Sequence, residues 1–292
     1  MQIQKSFKGQ SAYGKLYLVA TPIGNLDDVT FRAIQTLKEV NWIAAEDTRN
    51  TGLLLKHFDI PTKQISFHEH NAKEKIPDLI DLLKQGQNVA QVSDAGLPSI
   101  SDPGHDLVKA AIEEDIAVVT VPGASAGISA LIASGLAPQP HIFYGFLPRK
   151  SGQQKQFFES KKDYPETQIF YESPHRVADT LENMLVVYGD RSVVLVRELT
   201  KIYEEYQRGH ITELLESIAE TPLKGECLLI VEGASQEVED KDEEDLFAEI
   251  QARLQQGIKK NQAIKEVAKI YQWNKSQLYA GYHEWEDNQF ND

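Results

Sequence analysis

The sequence predicts an α/β fold in which a parallel sheet carries helices on both faces. Short apolar runs alternate with helical patterns up to about residue 233, as in LYLVAT, FRAIQTLKEV and WIAAE near the beginning. Such alternation is typical of consecutive β-α-β units. With 292 residues, the chain is long enough for two domains of ordinary size, each with its own core.

The strand-like runs fall into two groups on either side of a Pro-rich break. LYLVAT, WIAAE, QISF, NVAQVSD and AVVTVPG come first, and HIFYGFLP, TQIFYES, SVVLVRELT and GECLLIVEG come second. Between them the alternation pauses at LAPQP, residues 136–140, and prolines commonly mark domain breaks. We therefore predict a first α/β domain over residues 12–138 and a second over residues 139–234.

The composition changes beyond residue 234. Residues 235–245 are rich in acidic side chains, which indicates a solvated linker, and three helical patterns then predict an all-α module over residues 246–292. The run NQAIKEVAKIYQWNKSQLY has the pattern of a helix-turn-helix. The predicted core of this module consists of Ile264, Val267, Ala268, Ile270 and Leu278.

The composition also excludes several classes of protein. A single cysteine, Cys227, rules out a disulfide within the chain and suits a reducing compartment. No run of about 18 apolar residues occurs, and the first residues lack the apolar segment of a signal peptide. We therefore expect a cytoplasmic protein that does not bind a membrane. The net charge of -14 argues against nonspecific coating of nucleic acid, but it allows a local basic patch.

Four loops that follow predicted strands are rich in Gly, Pro and acidic residues. They are residues 21–28 (TPIGNLDD), 46–51 (EDTRNT), 93–104 (SDAGLPSISDPG) and 122–127 (PGASAG). In open α/β sheets, ligands bind beyond the carboxyl ends of the strands. None of these loops has the Gly spacing of a dinucleotide or nucleoside triphosphate site, and their carboxylates would repel phosphate. The loops therefore favour a ligand that carries hydroxyls or a positive charge.

These loops, with four motifs further along the chain, resemble one known family. LVATPIGNLDD, EDTRNT, SDAGLPSISDPG and VPGASA are followed by FYGFLPRK, FYESPHR, RELTKIYEE and KGECLLIVEG, and the match extends from about Lys15 to Gly233. The series is similar to the ribosomal RNA small-subunit methyltransferase I family, which are cytidine 2′-O-methyltransferases of the tetrapyrrole methylase fold. The helical tail also resembles the C-terminal module of that family.

The resemblance implies S-adenosylmethionine as the cofactor, bound in the cleft between the two α/β domains. It also implies a homodimer that acts on small-subunit (16S) ribosomal RNA within the assembled small subunit. The cofactor carries a sulfonium, an ammonium, a carboxylate and a ribose, which suits carboxylate-rich loops beside a helix N-terminus. The residues implied at the cofactor are Ile23, Asp94, Ala95, Gly96, Leu97, Ser125, Ala126, Tyr171 and Glu172.

The resemblance also implies a role for several of these residues. Asp94 would hold polar groups of the cofactor, because its loop shows no structural use for a carboxylate. Ser125 and Ala126 would offer backbone N–H groups at the start of a helix. Tyr171 and Glu172 would reach the cofactor from the second domain.

Methyl transfer to a ribose hydroxyl requires alignment of the acceptor oxygen and removal of its proton. Glu46, Asp47 and Arg49 combine a candidate base with a cation, although Asp47 could instead cap the helix TGLLLKHF and pair with Arg49. His175 in YESPHR is a further candidate base, or else an ordinary residue at a helix N-terminus. The sequence leaves the base open. The single Cys and scattered His residues show no spacing typical of a metal site.

Two groups of basic residues are candidates for binding RNA. In the second domain these are Arg176, Arg197 and Lys201, which could contact phosphates or form structural ion pairs. The segment from Lys259 to Lys275 contains five Lys and one Glu, a local charge of +4 within an acidic protein. The RNA candidates in this segment are Lys259, Lys260, Lys265 and Lys269, with a plain helical packing module as the alternative.

Three functions are consistent with these observations. The first is 2′-O-methylation of a cytidine in small-subunit ribosomal RNA. The second keeps the fold and the methyl donor but takes a tetrapyrrole or a protein side chain as acceptor. The third is a nucleic-acid-binding regulator whose α/β part senses a small ligand, since fold alone does not determine function.

Overall fold

The computed structural model of the chain describes residues 1–7, 12–100, 102, 104–235, 241–271 and 273–289. Ser101 and Pro103 of the third loop, and residues 236–240 of the predicted linker, lie outside the described residues. Contacts divide the chain into two units, Met1–Ala234 and Ser235–Asp292. No helix in the described part of the chain combines the length and apolar character that a membrane crossing requires.

The first sheet consists of five parallel strands in the order β3-β2-β4-β1-β5, which confirms the predicted parallel sheet. The strands are β1 (Leu16–Val19), β2 (Trp42–Ala45), β3 (Lys63–Ser66), β4 (Val89–Val92) and β5 (Val118–Val121). The helices are α1 (Phe31–Glu39), α2 (Thr48–His57), α3 (Ala72–Lys84), α4 (Gly104–Glu113) and α5 (Ala126–Ser134), with a 3-10 turn at Leu26–Asp28.

Apolar side chains cover both faces of this sheet. On one face α3 and α4 pack through Leu79, Leu83 and Leu107, and on the other face α1 and α2 pack through Leu37 and Leu55. Because successive strand residues point to opposite faces, a strand buried on both sides is apolar throughout. This is why the central strands appear in the sequence as short continuous apolar runs.

The second sheet is mixed, in the order β6-β7-β10-β8-β9. The pair β6 and β7 is parallel, and the remaining pairs are antiparallel. The strands are β6 (His141–Phe146), β7 (Thr167–Glu172), β8 (Ser192–Arg197), β9 (Glu205–His210) and β10 (Cys227–Val231). Three helices, α6 (Ser151–Glu159), α7 (Val177–Tyr188) and α8 (Ile211–Glu220), pack on one face of the sheet.

Strand β9 was not predicted from the sequence. Its residues, EYQRGH, contain no apolar run, and it lies at the edge of the sheet, where β8 is its neighbour among the described strands. An edge strand has one side that faces solvent, so polar and charged residues are tolerated there. The pattern of apolar residues therefore gives no sign of it.

Helix α5 follows the first sheet in the chain but packs against the second sheet. Ala130 and Leu131 lie in one buried cluster with Ile169 and with residues of β8 and β10. From β9, the Arg208 guanidinium donates to the Ser134 carbonyl at 2.9 Å and to the Ala133 carbonyl, which satisfies the last turn of α5. The two sheets are thus joined through α5, and the start of α5 has a fixed position relative to both.

The second unit consists of three helices, α9 (Glu243–Gln255), α10 (Lys260–Ile270) and α11 (Lys275–Gln289). Helix α9 begins inside the predicted linker because Asp242 caps it, accepting a hydrogen bond from the Asp245 backbone, and acidic residues favour a first turn. The prediction for Ile270 is wrong. This side chain is 50% exposed at the last residue of α10 and does not belong to the buried cluster of Ile264 and Val267.

Candidate active site

The four loops predicted to bind a ligand lie at one edge of the first sheet. They follow β2, β4, β1 and β5, which are consecutive in the sheet, and parallel strands have their carboxyl ends at the same edge. The loops after β1 and β4 are joined by a pair of hydrogen bonds between the backbones of Thr21 and Gly96, at 2.9 and 3.1 Å. These loops are far apart in the sequence, and the order of the strands in the sheet brings them close together in space.

Gly96 brings three of the loops into close contact. Its φ of +77° is unfavourable for other residues, and a Cβ there would be 3.3 Å from the Ile23 side chain and 3.5 Å from the Ala124 carbonyl. Ile23 belongs to the loop after β1 and Ala124 to the loop after β5. Ile23 and Gly96, both predicted at the cofactor, are therefore neighbours, whereas Ala95 is exposed and Leu97 is half-buried.

The expectation that the loop of Asp94 has no structural use for a carboxylate is wrong. Oδ1 of Asp94 accepts a hydrogen bond from the Asp47 backbone N–H, and Oδ2 accepts one from the Asn50 side chain, both at 3.1 Å. These bonds tie the loop after β4 to the loop after β2. A carboxylate can accept about four hydrogen bonds, so Asp94, which is exposed, retains acceptor capacity for a ligand.

Asp102, the other acidic residue of this loop, has an internal role. Its carboxylate accepts hydrogen bonds from the Gln91 side chain and from the backbone N–H groups of Ser99 and Gly104, each at 2.8 Å. It thereby closes the loop and caps the start of α4. Of the two carboxylates in this segment, Asp94 is the one that faces outward.

Glu46 lies beside Asp94 and accepts a hydrogen bond from the Asp94 backbone N–H at 3.2 Å. Burial raises the pKa of the Glu46 carboxyl above its ordinary value, and the neighbouring carboxylates of Asp94, Asp102 and Asp47 add to this effect, while the Asp94 N–H opposes it. A carboxylate with a raised pKa is a stronger base than an ordinary one. Among the described residues, no group of three or more His, Cys, Asp or Glu side chains is placed to hold a metal.

Asp47 and Arg49 form the structural arrangement that the sequence left as an alternative. Asp47 caps α2 and accepts hydrogen bonds from the Arg49 backbone at 2.8 Å and from its guanidinium at 2.6 and 3.0 Å. The Arg49 side chain holds the pKa of Asp47 down to about 2. Such a carboxylate takes up a proton poorly at neutral pH, so Glu46 is a better candidate base than Asp47.

The start of α5 offers backbone donors to a ligand. Ser125 is the N-cap residue, but its side chain makes no capping hydrogen bond, and both Ser125 and Ala126 are half-exposed. From the second sheet, Tyr171 reaches this turn. Burial raises the pKa of the Tyr171 hydroxyl, and a hydrogen bond from the Gly127 N–H opposes this rise. The predicted residues Ser125, Ala126 and Tyr171 are therefore close together.

Glu172, predicted to reach the cofactor from the second domain, has its carboxylate turned into the protein interior. Its side chain is fully buried and accepts hydrogen bonds from the Ser173 N–H at 2.8 Å and the Thr180 hydroxyl at 2.9 Å. Arg176 completes this cluster, with Nη1 3.2 Å from the Glu172 carboxylate and Nη2 donating to the Pro148 carbonyl. Glu172 and Arg176 thus fix the loops after β7 and β6, and their charges are mutually satisfied. His175, next to them, is exposed.

The other two basic candidates of the second sheet are also in ion pairs. Arg197 pairs with Glu205, and Lys201 pairs with Glu198 and Glu226 at 3.0 and 2.9 Å. The loop that carries Lys201 also contacts the first loop of the site, because the Thr200 hydroxyl donates to the Asp28 carboxylate. Arg197 and Lys201 therefore form the structural ion pairs that the sequence left as the alternative to contacts with RNA.

Two cations that the sequence prediction omitted have no such partners. Arg149 and Lys150, in the motif FYGFLPRK, are exposed, and within the described part of the chain neither has an ion-pair partner. They directly follow β6 and Pro148. The sequence offered two signals that Arg149 and Lys150 could bind RNA. They lie in one of the family motifs, and that motif contains no acidic residue that could pair with them.

Comparisons with known proteins identify the family. A family model described as Tetrapyrrole (Corrin/Porphyrin) Methylases matches residues 15–215. A protein of Streptococcus pyogenes serotype M1 named ribosomal RNA small subunit methyltransferase I is 71% identical, over 97% of this chain and 100% of that protein. The protein of the same name from Bacillus subtilis strain 168 is 47% identical, over 96% and 98%. The chain belongs to the ribosomal RNA small subunit methyltransferase I family of tetrapyrrole methylases.

Two solved structures have a fold similar to that of this chain. A diphthine synthase has a TM-score of 0.59 at 13% identity, over 75% of this chain and 90% of that chain. A uroporphyrin-III C-methyl transferase from Thermus thermophilus, complexed with S-adenyl homocysteine, has a TM-score of 0.52 at 19% identity, over 75% and 97%. At these identities the likeness shows the fold alone.

In the helical unit of this family member, the predicted RNA-binding lysines differ in their surroundings. Lys259, Lys265 and Lys269 are exposed, whereas Lys260 is half-buried, forms an ion pair with Glu286 and lies over the Tyr282 ring. Lys265 and Lys269 are four residues apart and therefore lie on one side of α10. Three of the four candidates are thus accessible to a partner.

The raised pKa of Glu46 predicts a pH-dependent stability. A carboxyl whose pKa is higher in the folded state stabilises the fold below its unfolded pKa, and this contribution is lost as pH rises through the folded pKa. Glu46→Gln retains an acceptor for the Asp94 N–H. It should therefore raise the free energy of unfolding at pH 7, by at most about 1 kcal/mol for a partly exposed site. The gain should vanish near pH 4.

Chemical denaturation of both proteins without cofactor, from pH 4 to pH 8, measures this difference. Glu69→Gln, at an exposed position in a turn, is the matched control and should follow the wild type. If Glu46→Gln and the wild type are equally stable at every pH from 4 to 8, burial does not disfavour the ionised carboxylate.

Proposed function

We propose that this protein transfers a methyl group from S-adenosylmethionine to the 2′-hydroxyl of a cytidine in small-subunit ribosomal RNA, in the cytoplasm. The observation that carries the proposal is a site that combines one exposed and one partly buried carboxylate with open backbone donors. Asp94 and Glu46 lie on the loops beyond β4 and β2, and the unfilled start of α5 lies beyond β5. The names of the close relatives support ribosomal RNA as the substrate.

The chain's own residues fit each polar group of S-adenosylmethionine. The exposed Asp94 would attract the positive charge and bind hydroxyls, with a charged hydrogen bond contributing about 1.5–3 kcal/mol. Backbone N–H groups at Ser125 and Ala126 would receive the carboxylate, because the N-terminus of a helix favours an anion. Ile23 and Gly96 would provide a close apolar wall. When bound, the cofactor supplies a methyl group on a sulfonium.

Residues of the site would then promote attack by the ribose oxygen. As the bond from oxygen to methyl carbon forms and the bond from carbon to sulfur breaks, the hydroxyl proton must leave. We propose Glu46 as its acceptor, because the raised pKa suits a base and the side chain lies next to Asp94. The remaining contribution is alignment of the acceptor with the methyl group.

An RNA acceptor is favoured over a tetrapyrrole or a protein by the distribution of basic residues. Arg149 and Lys150 are exposed beside the second sheet, and Lys259, Lys265 and Lys269 are exposed in the helical unit. In a protein of net charge -14, exposed cations of this kind are suited to binding phosphates. We propose the assembled small subunit as the form of the substrate.

We also propose that the protein acts as a homodimer. Several large apolar side chains of the first unit are exposed, among them Phe31 at 94% and Ile132 at 75%. Ile132 lies on the side of α5 that faces away from the second sheet, whereas its neighbour Leu131 is buried. Exposed apolar surface is typical of a protein interface.

The direct test uses small ribosomal subunits from cells that lack this enzyme. With labelled S-adenosylmethionine, the protein should incorporate one methyl group per subunit, and digestion followed by mass spectrometry of the nucleosides should find 2′-O-methylcytidine. A methyl group on a base, or on another nucleoside, would contradict the proposed acceptor. Binding of the cofactor without any transfer would instead favour a ligand-sensing regulator.

Removal of the helical unit should separate cofactor binding from activity on RNA. A chain that ends at Ala234 keeps both sheets and all their buried clusters, so it should fold and bind S-adenosylmethionine as the full chain does. Loss of the exposed lysines should raise the apparent KM for subunits and weaken its dependence on salt.

Steady-state kinetics at two salt concentrations, with calorimetric titration of the cofactor, measure both effects. The triple variant Lys259→Gln, Lys265→Gln, Lys269→Gln in the full chain should reproduce the change in KM. If the truncated protein methylates subunits as well as the full chain does, the helical unit has no part in RNA binding.

A further inference from the structure

We infer that Phe146 is a specificity residue whose ring stacks on the base of the acceptor nucleotide. The inference rests on the proposed function, since it takes RNA as the substrate. Phe146 is the last residue of β6, and its side chain is 66% exposed. A phenylalanine ring exposed to this degree is available to contact a base.

A β-bulge determines the direction of this side chain. Phe143 pairs with Ile169 and Phe146 pairs with Tyr171, so β6 has one more residue than β7 over this stretch. Residues three apart on a regular strand point to opposite faces, and the extra residue returns Phe146 to the same face as Phe143. Gly145, with a φ of +68°, supplies the left-handed conformation of the bulge.

The face selected by the bulge is the one turned toward the start of α5. The Tyr171 ring lies 5.0 Å from the Phe143 ring and 5.5 Å from the Phe146 ring, and Tyr171 packs with Ala126 of α5 against one buried cluster. Tyr144, between them, points to the opposite face and stacks on Phe170 in the core. Phe146 is therefore one ring away from the turn proposed to bind the cofactor carboxylate.

Two exposed cations follow the ring along the chain, and the phosphates of RNA are ligands for such cations. Arg149 and Lys150 follow Phe146 within four residues, both are exposed, and neither has an ion-pair partner among the residues that the structure describes. A cationic segment next to an aromatic ring is the usual arrangement for a single-stranded nucleotide, in which the cations contact phosphate and the ring contacts the base. Phe146 contacts Tyr171, and Tyr171 packs against the same buried cluster as Ala126 at the start of α5.

Substitution at position 146 tests this role. Loss of one base–aromatic stacking contact should lower kcat/KM for small ribosomal subunits roughly 5- to 100-fold. We expect this loss in Phe146→Ala, and equally in Phe146→Leu, which keeps an apolar side chain but has no aromatic face. Phe146→Tyr and Phe146→Trp should retain most of the activity. Calorimetric titration should show that all four variants bind S-adenosylmethionine as the wild type does.

Two controls separate stacking from other roles of the ring. Tyr164→Ala removes an aromatic ring that is 37% exposed before the first residue of β7, at the other end of the sheet, and should leave kcat/KM unchanged. Light scattering of each variant should give the same oligomeric state as the wild type.

Several results would overturn the inference. Full activity of Phe146→Leu would show that only apolar surface is needed, and a change of oligomeric state in Phe146→Ala would show that a second copy covers the ring. Unchanged kcat/KM in Phe146→Ala, with an active wild type, would refute stacking and leave the proposed function intact. If the wild type itself transfers no methyl group to subunits, the proposed function fails and this inference fails with it.

Discussion

The arrangement of the candidate site depends on hydrogen bonds accepted by the carboxylate of Asp94. Its two oxygens bind the Asp47 backbone and the Asn50 side chain, which joins the loops after β4 and β2. The same contact places the Asp94 N–H at the Glu46 carboxylate, so that several negative charges lie together at one edge of the sheet. A concentration of carboxylates is unfavourable by itself and becomes favourable when a cation binds. Under the proposed function, the positive charge of S-adenosylmethionine would relieve this repulsion.

Helix α5 connects this edge to the second sheet. Its buried side, which includes Leu131, packs on β7, β8 and β10, and its last carbonyls are bound by Arg208. Ala126, at the start of the helix, packs with Tyr171 of β7 against the same buried cluster, and the first turn follows the loop after β5. The fold therefore brings the residues proposed for the cofactor and the aromatic residue proposed for RNA to the same side of the second sheet.

Much of the fold was predictable because central strands buried on both faces must be apolar. The edge strand β9 (EYQRGH) and the exposed position of Ile270 were not, since each depends on which neighbours pack against it. The candidate loops were predictable from their composition and position. The contacts of Asp94 and the burial of Glu172 were not, because hydrogen bonds between loops distant in sequence, or to a neighbouring helix, leave no periodic pattern.

The most direct measurement is calorimetric titration of S-adenosylmethionine into Asp94→Asn, with the exposed Asp106→Asn on α4 as the control. The Asn side chain keeps an acceptor for the Asp47 N–H but loses the charge and the acceptor for the Asn50 amide; because Asn50 is exposed and can bond water, the melting temperature should fall only slightly. The account predicts a roughly tenfold to hundredfold weaker affinity, which corresponds to about 1.5–3 kcal/mol. An affinity equal to that of the wild type and of Asp106→Asn would contradict the assignment of Asp94 to the cofactor.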